Sequence, residues 1–91
     1  MGEVMRREEK IKQFNISAIN MQFEIAEHNK TYEDALLEEK FFDKYTITEE
    51  QEKQFKDWYI KTVRKLFRCT KKLAEHEYSW WHLNYGLKLE K

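Results

Sequence analysis

Apolar positions along the first third of the chain follow a helical rhythm. Ile11, Phe14, Ala18, Met21 and Ile25 recur at alternating steps of three and four, the spacing that gathers side chains on one face of an α-helix. Ile16, Ile19, Phe23 and Ala26 repeat that spacing, offset onto nearly the opposite face. Gln13 through Phe23 carries no charge. A surface helix ordinarily has one apolar stripe and one solvated face. Two stripes therefore predict a helix, about 3–28, that is covered on both sides. Phe14, Ala18 and Met21 are expected to face a helix of the same chain. Ile16, Ile19 and Phe23 are expected to face a second copy, as a self-association surface.

The pattern breaks near Asn29, a residue suited to a left-handed helix exit. Thr31, with Asp34 three residues on, approximates a capping box, so a short second helix is predicted over about 32–44. Leu36, Leu37, Phe41, Phe42 and Tyr45 make it apolar on more than one side. An unbroken first helix is the alternative, because Tyr32, Ala35 and Phe42 keep its heptad register. Thr48, Glu49, Glu50 and Gln51 form a complete capping box for a third helix, expected to run without interruption over about 49–85. Phe55, Tyr59, Val63, Leu66, Phe67, Leu73, Ala74, Trp80 and Trp81 spread over one broad face of it. Gly86 suits a left-handed position past its end, with Leu87 folding back on Trp81 and 87–91 left as a short tail.

These elements make the fold class all-α. The expected arrangement is an antiparallel helical hairpin or three-helix bundle in a single domain, 1–91. The short helix cannot cover both long ones, which points to a dimer or higher oligomer. Composition agrees with this picture: among 91 residues there are two glycines and no proline, so turn residues for a β fold are missing. Aromatic residues make up 15%, too many for a disordered chain.

Net charge is zero, so the overall field favours no polyanion. The charges are segregated, however. Acidic residues dominate 24–52, whereas Lys61, Arg64, Lys65, Arg68, Lys71 and Lys72 crowd one side of the third helix. Cys69 is the only cysteine, which excludes a disulfide within one chain and fits a reducing compartment. With no apolar secretory core and no membrane-length run, a cytoplasmic protein without membrane contact is expected.

Candidate chemistry is sparse. There is no glycine-rich phosphate loop, paired-cysteine motif or His-Glu-x-x-His sequence, so no cofactor, metal or catalytic residue is expected. Glu24 and His28, one turn apart, are the nearest approach to a ligand pair, and a hydrogen bond at the helix end is the plainer expectation. His76 and His82 point to different sides. Cys69 is expected to be structural. Glu77 falls by helical angle inside the apolar face, where a carboxylate needs a basic partner. Tyr78, Trp80, Trp81 and Tyr85 crowd into two turns, and tyrosine and tryptophan dominate binding hot spots. The functional expectation is a non-enzymatic interaction protein, an adaptor or inhibitor of the kind phages and mobile elements carry, that binds a protein partner and itself. The alternative is nucleic-acid binding by the basic face.

Overall fold

The computed structural model describes residues 7–38 and 44–90. The expected start of the first helix, and Phe41 and Phe42 of the second, lie outside them. The elements are α1 (Arg7–Ile25), α2 (Tyr32–Leu37), β1 (Thr46–Ile47), α3 (Glu49–Phe67), α4 (Lys71–Tyr85) and β2 (Lys88–Leu89). The chain is mostly helical, as its lack of breakers predicts.

α1 does end before Asn29, but the left-handed residue is Glu27, with φ 62°. The His28 amide donates to the Phe23 carbonyl at 2.9 Å and the Glu27 amide to that of Glu24 at 3.1 Å. This is the paired bonding of a Schellman exit, built on a glutamate where glycine is usual. α2 begins at Thr31 as expected. The Asp34 carboxylate accepts from the Thr31 amide at 2.8 Å and from its hydroxyl at 3.2 Å. The Tyr32 amide donates to Asn20 Oδ1 at 2.8 Å, which ties α2 to α1. α2 then stops at Leu37, where Glu38 turns extended, so the helix expected over 32–44 is interrupted there; positions 39–43 of it lie outside the described residues. Thr48 caps α3 as expected. The Gln51 amide donates to its hydroxyl at 3.1 Å, and its own amide donates to Gln51 Oε1 at 3.0 Å.

The third predicted helix is not continuous. α3 ends at Phe67, Arg68 turns left-handed at φ 50°, ψ 45°, and Thr70 caps α4 by accepting from the Leu73 amide at 3.2 Å. The break has a packing cause. α4 folds back antiparallel to α3, bringing Phe55 and Trp81 to 5.2 Å between ring centroids and Tyr59 and Tyr78 likewise to 5.2 Å. A straight helix would leave these rings apart. A left-handed non-glycine residue costs about 1–3 kcal/mol, and burying one large side chain returns roughly that much. Four rings therefore outweigh one strained residue. Trp81 is fully buried, although its Nε1 finds no partner among the described residues. Burying an indole of 150–250 Å² at ~25 cal/mol per Å² gives roughly 4–6 kcal/mol, against about 1–3 for an orphaned donor.

The C-terminal segment also differs from expectation. Gly86 is extended, at φ −72° and ψ 141°, not left-handed. Glycine is required there for space, because a Cβ would collide with the His82 ring and stand 2.5 Å from the His82 carbonyl oxygen. Leu87 is buried in the core rather than starting a free tail. β2 pairs in parallel with β1, Thr46 opposite Lys88 and Ile47 opposite Leu89. Gln22, only 1% exposed, holds this segment with both ends of its amide. Its Nε2 donates to the Tyr85 carbonyl at 3.1 Å and its Oε1 accepts from the Leu87 amide at 3.0 Å.

The two stripes of α1 are covered by one chain. Phe14 packs on Trp58, Tyr59 and Phe67 of α3. Ile19 is 2% exposed and Phe23 is fully buried, both in the same core cluster. The expectation that these two await a second copy is therefore overturned. At 100° per residue the two stripes lie about 140° apart, and the helix face between them, centred on Gln22, is turned inward. They are the flanks of one broad buried face, not two opposed faces. Ile16 alone of the three stays half-buried.

Candidate functional site

The buried face of α1 is covered unevenly along its length. Toward the C-terminal end, residues 85–87 lie across Gln22. Toward the N-terminal end, Ile11 and Asn15 line two clefts at once. One cleft, of about 210 Å³, lies between α1 and the α3–α4 pair, with Phe14, Val63, Phe67, Leu73 and Trp80 in its walls. The other, of about 450 Å³, lies between α1 and α2, with Ile16, Ile19, Ala35, Leu36 and Tyr85 in its walls and Glu8 and Lys12 at its edge. Trp80 and Tyr85 link the two sides, their rings edge to face at 6.5 Å. Ile11, Leu73 and Trp80 are 42%, 49% and 52% exposed, and Leu36 is 67% exposed. The result is an apolar trough in two parts, with α1 as the ridge between them.

The proposed aromatic hot spot is thus divided. Tyr78 and Trp81 belong to the core, and only Trp80 and the half-buried Tyr85 reach the trough. Adjacent residues of a helix point about 100° apart, so the pair Trp80–Trp81 cannot share a surface. Ile11, Leu73 and Leu36 are apolar residues at the trough that their periodicity placed on covered faces. Burial pushes the Tyr59 phenol well above its usual range, with the Glu77 charge adding to it. Tyr78 is pushed the same way, first by burial, then by the charge and the 3.3 Å hydrogen bond of Glu52. Glu77 itself is exposed at the rim of the smaller cleft, which corrects the expectation of a buried carboxylate. The buried face of α4 is Ala74, Tyr78 and Trp81, and Glu77 lies on its flank beside Leu73 and Trp80, which are themselves about half exposed.

His28 Nε2 donates to the Thr46 carbonyl at 2.7 Å, fastening the exit of α1 to β1. That bond, not a ligand shared with Glu24, is what the histidine makes. Cys69 is half-buried in the turn between α3 and α4 and lines the smaller cleft. Among the described residues no group of three or more His, Cys, Asp or Glu stands close enough to hold a metal ion. No described helix is long and apolar enough to cross a membrane.

The six cations of the predicted basic stripe are all exposed, but they do not share one helix. Lys61, Arg64 and Lys65 belong to α3, Arg68 to the turn, and Lys71 and Lys72 to α4. The fold gathers them at the tip of the α3–α4 hairpin. Comparison with family models, curated proteins and solved structures finds no match to this chain. What the trough and the tip can do is therefore argued from their chemistry.

Proposed function

We propose that this protein is a non-enzymatic helical interaction module, of adaptor or inhibitor type, that docks a protein partner in the trough around Trp80. A single observation carries the reading. Among the described residues, the apolar face of α1 runs on, open, past the point where residues 85–87 stop covering it. Ile11, Leu73 and Trp80 surround that opening while each remains about half exposed. The smaller cleft, about 210 Å³, falls below the roughly 300–1,000 Å³ of small-molecule sites and suits an inserted side chain, whereas the larger, about 450 Å³, lies within that range. Tryptophan is among the residues that dominate hot spots, and Trp80 stands at the wall of this smaller apolar cleft. The half-buried Ile16 and exposed Leu36 in the larger cleft are where a second copy would pack, so self-association, and with it a bundle larger than one chain, belongs to the same proposal.

A photo-crosslinking residue at position 80, with one at the exposed position 75 on another face of α4 as control, tests the partner surface in the cell of origin. A discrete adduct from position 80 alone supports the proposal; equal labelling from both positions, or none, refutes it. Light scattering across micromolar concentrations tests self-association, which Ile16→Glu should abolish.

A further inference from the structure

We propose that the tip of the α3–α4 hairpin is a contact surface for nucleic acid that grips duplex phosphates without reading sequence. It uses the charged outer side of a turn whose Phe67 and Cys69 also line the smaller cleft. Between Lys61 and Lys72 the chain carries six cations and no carboxylate. The ion pair of Lys44 with Glu38 lies in another part of the chain. Arg64 Nε donates to the Cys69 carbonyl at 3.4 Å, which holds its guanidinium against the turn.

Helix electrostatics explain only part of this cluster. Arg64 and Lys65, in the last turn of α3, complement the negative end of the helix dipole. Lys71 and Lys72 do the reverse. They occupy the first two positions of α4, where the dipole is positive and carboxylates belong. The other described helices obey the rule: α1 opens with Glu8 and Glu9, α2 with Glu33 and Asp34, and α3 with Glu49, Glu50 and Glu52. α4 alone has no acidic residue in its first turn. Its two lysines are exposed, so packing does not demand them, and they add to the repulsion from Arg64, Lys65 and Arg68. A local rule broken without a carboxylate in the same turn to offset it is the kind of departure expected at a functional surface.

Charge density selects the ligand. Lys61 to Arg68 spans roughly 10 Å of helix axis at ~1.5 Å per residue, and Lys71 and Lys72 follow the turn at the first two positions of α4. A duplex presents one phosphate per ~1.7 Å of axis, or about six over the same length. An extended acidic peptide rises ~3.3 Å per residue and offers about half as many charges. A membrane-binding surface would place its cations along the flanks of a continuous apolar face, whereas these cations cap a turn. No aromatic residue interleaves with them, so base stacking has no platform and duplex is preferred to single strand.

The test is fluorescence anisotropy of a labelled 20-base-pair duplex titrated with the full chain between 50 and 200 mM salt. Six phosphate contacts give a slope of log K on log[salt] of roughly −5, an affinity loss of about a thousandfold across that range. The double variant Lys71→Glu/Lys72→Glu should lose at least tenfold in affinity at 50 mM salt and melt at a higher temperature than the wild type. That pairing separates a lost contact from a lost fold, which would lower the melting temperature. Trp80→Ala should bind duplex unchanged. The proposal is overturned by no binding at 50 mM salt, by a double variant that binds as well as the wild type, or by polyglutamate or anionic vesicles competing as strongly as duplex.

Discussion

Replacing Gln22 with leucine should remove a large part of the stability of this fold. Gln22 is 1% exposed and satisfies two main-chain groups where the chain leaves α4, the Tyr85 carbonyl and the Leu87 amide. Leucine fills the same volume and supplies neither bond. An orphaned buried polar group costs about 1–3 kcal/mol, so two cost roughly 2–6, less whatever the added apolar burial returns. A net loss of about 3 kcal/mol is expected. A chain of this length has roughly 5–14 kcal/mol in all, and 3 kcal/mol corresponds to a fall of about 12–24 °C in Tm. Urea denaturation followed by circular dichroism reads the loss directly. Gln13→Leu, on the exposed side of the same helix, is the control and should change stability by less than about 0.5 kcal/mol. Gln22→Glu adds a pH signature. An ionised carboxylate can still accept from the Leu87 amide, but it repels the Tyr85 carbonyl. The protonated acid can donate to that carbonyl. Burial raises the folded-state pKa of such a group above its unfolded value of about 4.3. The variant should therefore approach the wild type below pH 4 and lose ground as pH rises toward 7. Near-wild-type stability of Gln22→Leu, or a pH-independent gap for Gln22→Glu, would refute the clamp.

Three further outcomes follow from the same contacts. Glu27→Gly and Arg68→Gly relieve left-handed residues at φ 62° and φ 50° and should each stabilise by about 1 kcal/mol, measured as a rise in Tm. Gly86→Ala places a Cβ 2.5 Å from the His82 carbonyl oxygen and should cost about 1–3 kcal/mol in urea melts. Tyr59 and Tyr78 hold their protons more tightly folded than unfolded. The tyrosines' contribution to stability should be flat below about pH 9.5, then fall above pH 10 as the unfolded chain ionises first, by up to about 1.4 kcal/mol per pH unit for each tyrosine. Tyr59→Phe should halve that slope.

What the sequence made legible was local. Thr31 and Thr48 announce their helices because an N-cap needs only a short polar side chain and a partner three residues on, all within one turn. Thr70 has the same acceptor, but neither a carboxylate nor an amide stands at position 73, and nothing glycine-like precedes it. The break at Arg68 was therefore hidden. Its cause lies in long-range ring packing of Tyr78 and Trp81 on Tyr59 and Phe55, which local patterns do not encode. Gln22 was hidden for a related reason. A lone glutamine in an uncharged helical run carries no sign that it will bond main chain more than sixty residues away.

The candidate site was half legible for geometric reasons. Periodicity marks which residues of α1 want covering, but not how far along the helix the cover extends. Here that extent is set by α4 and the segment that follows it. The hairpin turn at 68–70 aligns Tyr78 and Trp81 with Tyr59 and Phe55, and Gly86 lets residues 85–87 cross α1 at Gln22. From there residues 88–90 run along β1, where the Glu90 amide donates to the Ile47 carbonyl at 2.8 Å. The apolar face is consequently closed around Gln22 and open at Ile11 and Asn15. Trp80 stands at the boundary between the two, one residue from the largest fully buried side chain of the core. A variant that loosens the Gln22 clamp should therefore disturb the trough as well, because Tyr85, whose carbonyl that clamp holds, forms one of its walls. Loss of partner adducts from position 80 in Gln22→Leu, at temperatures where the variant is still folded, would show that the closed half of the face positions the open half.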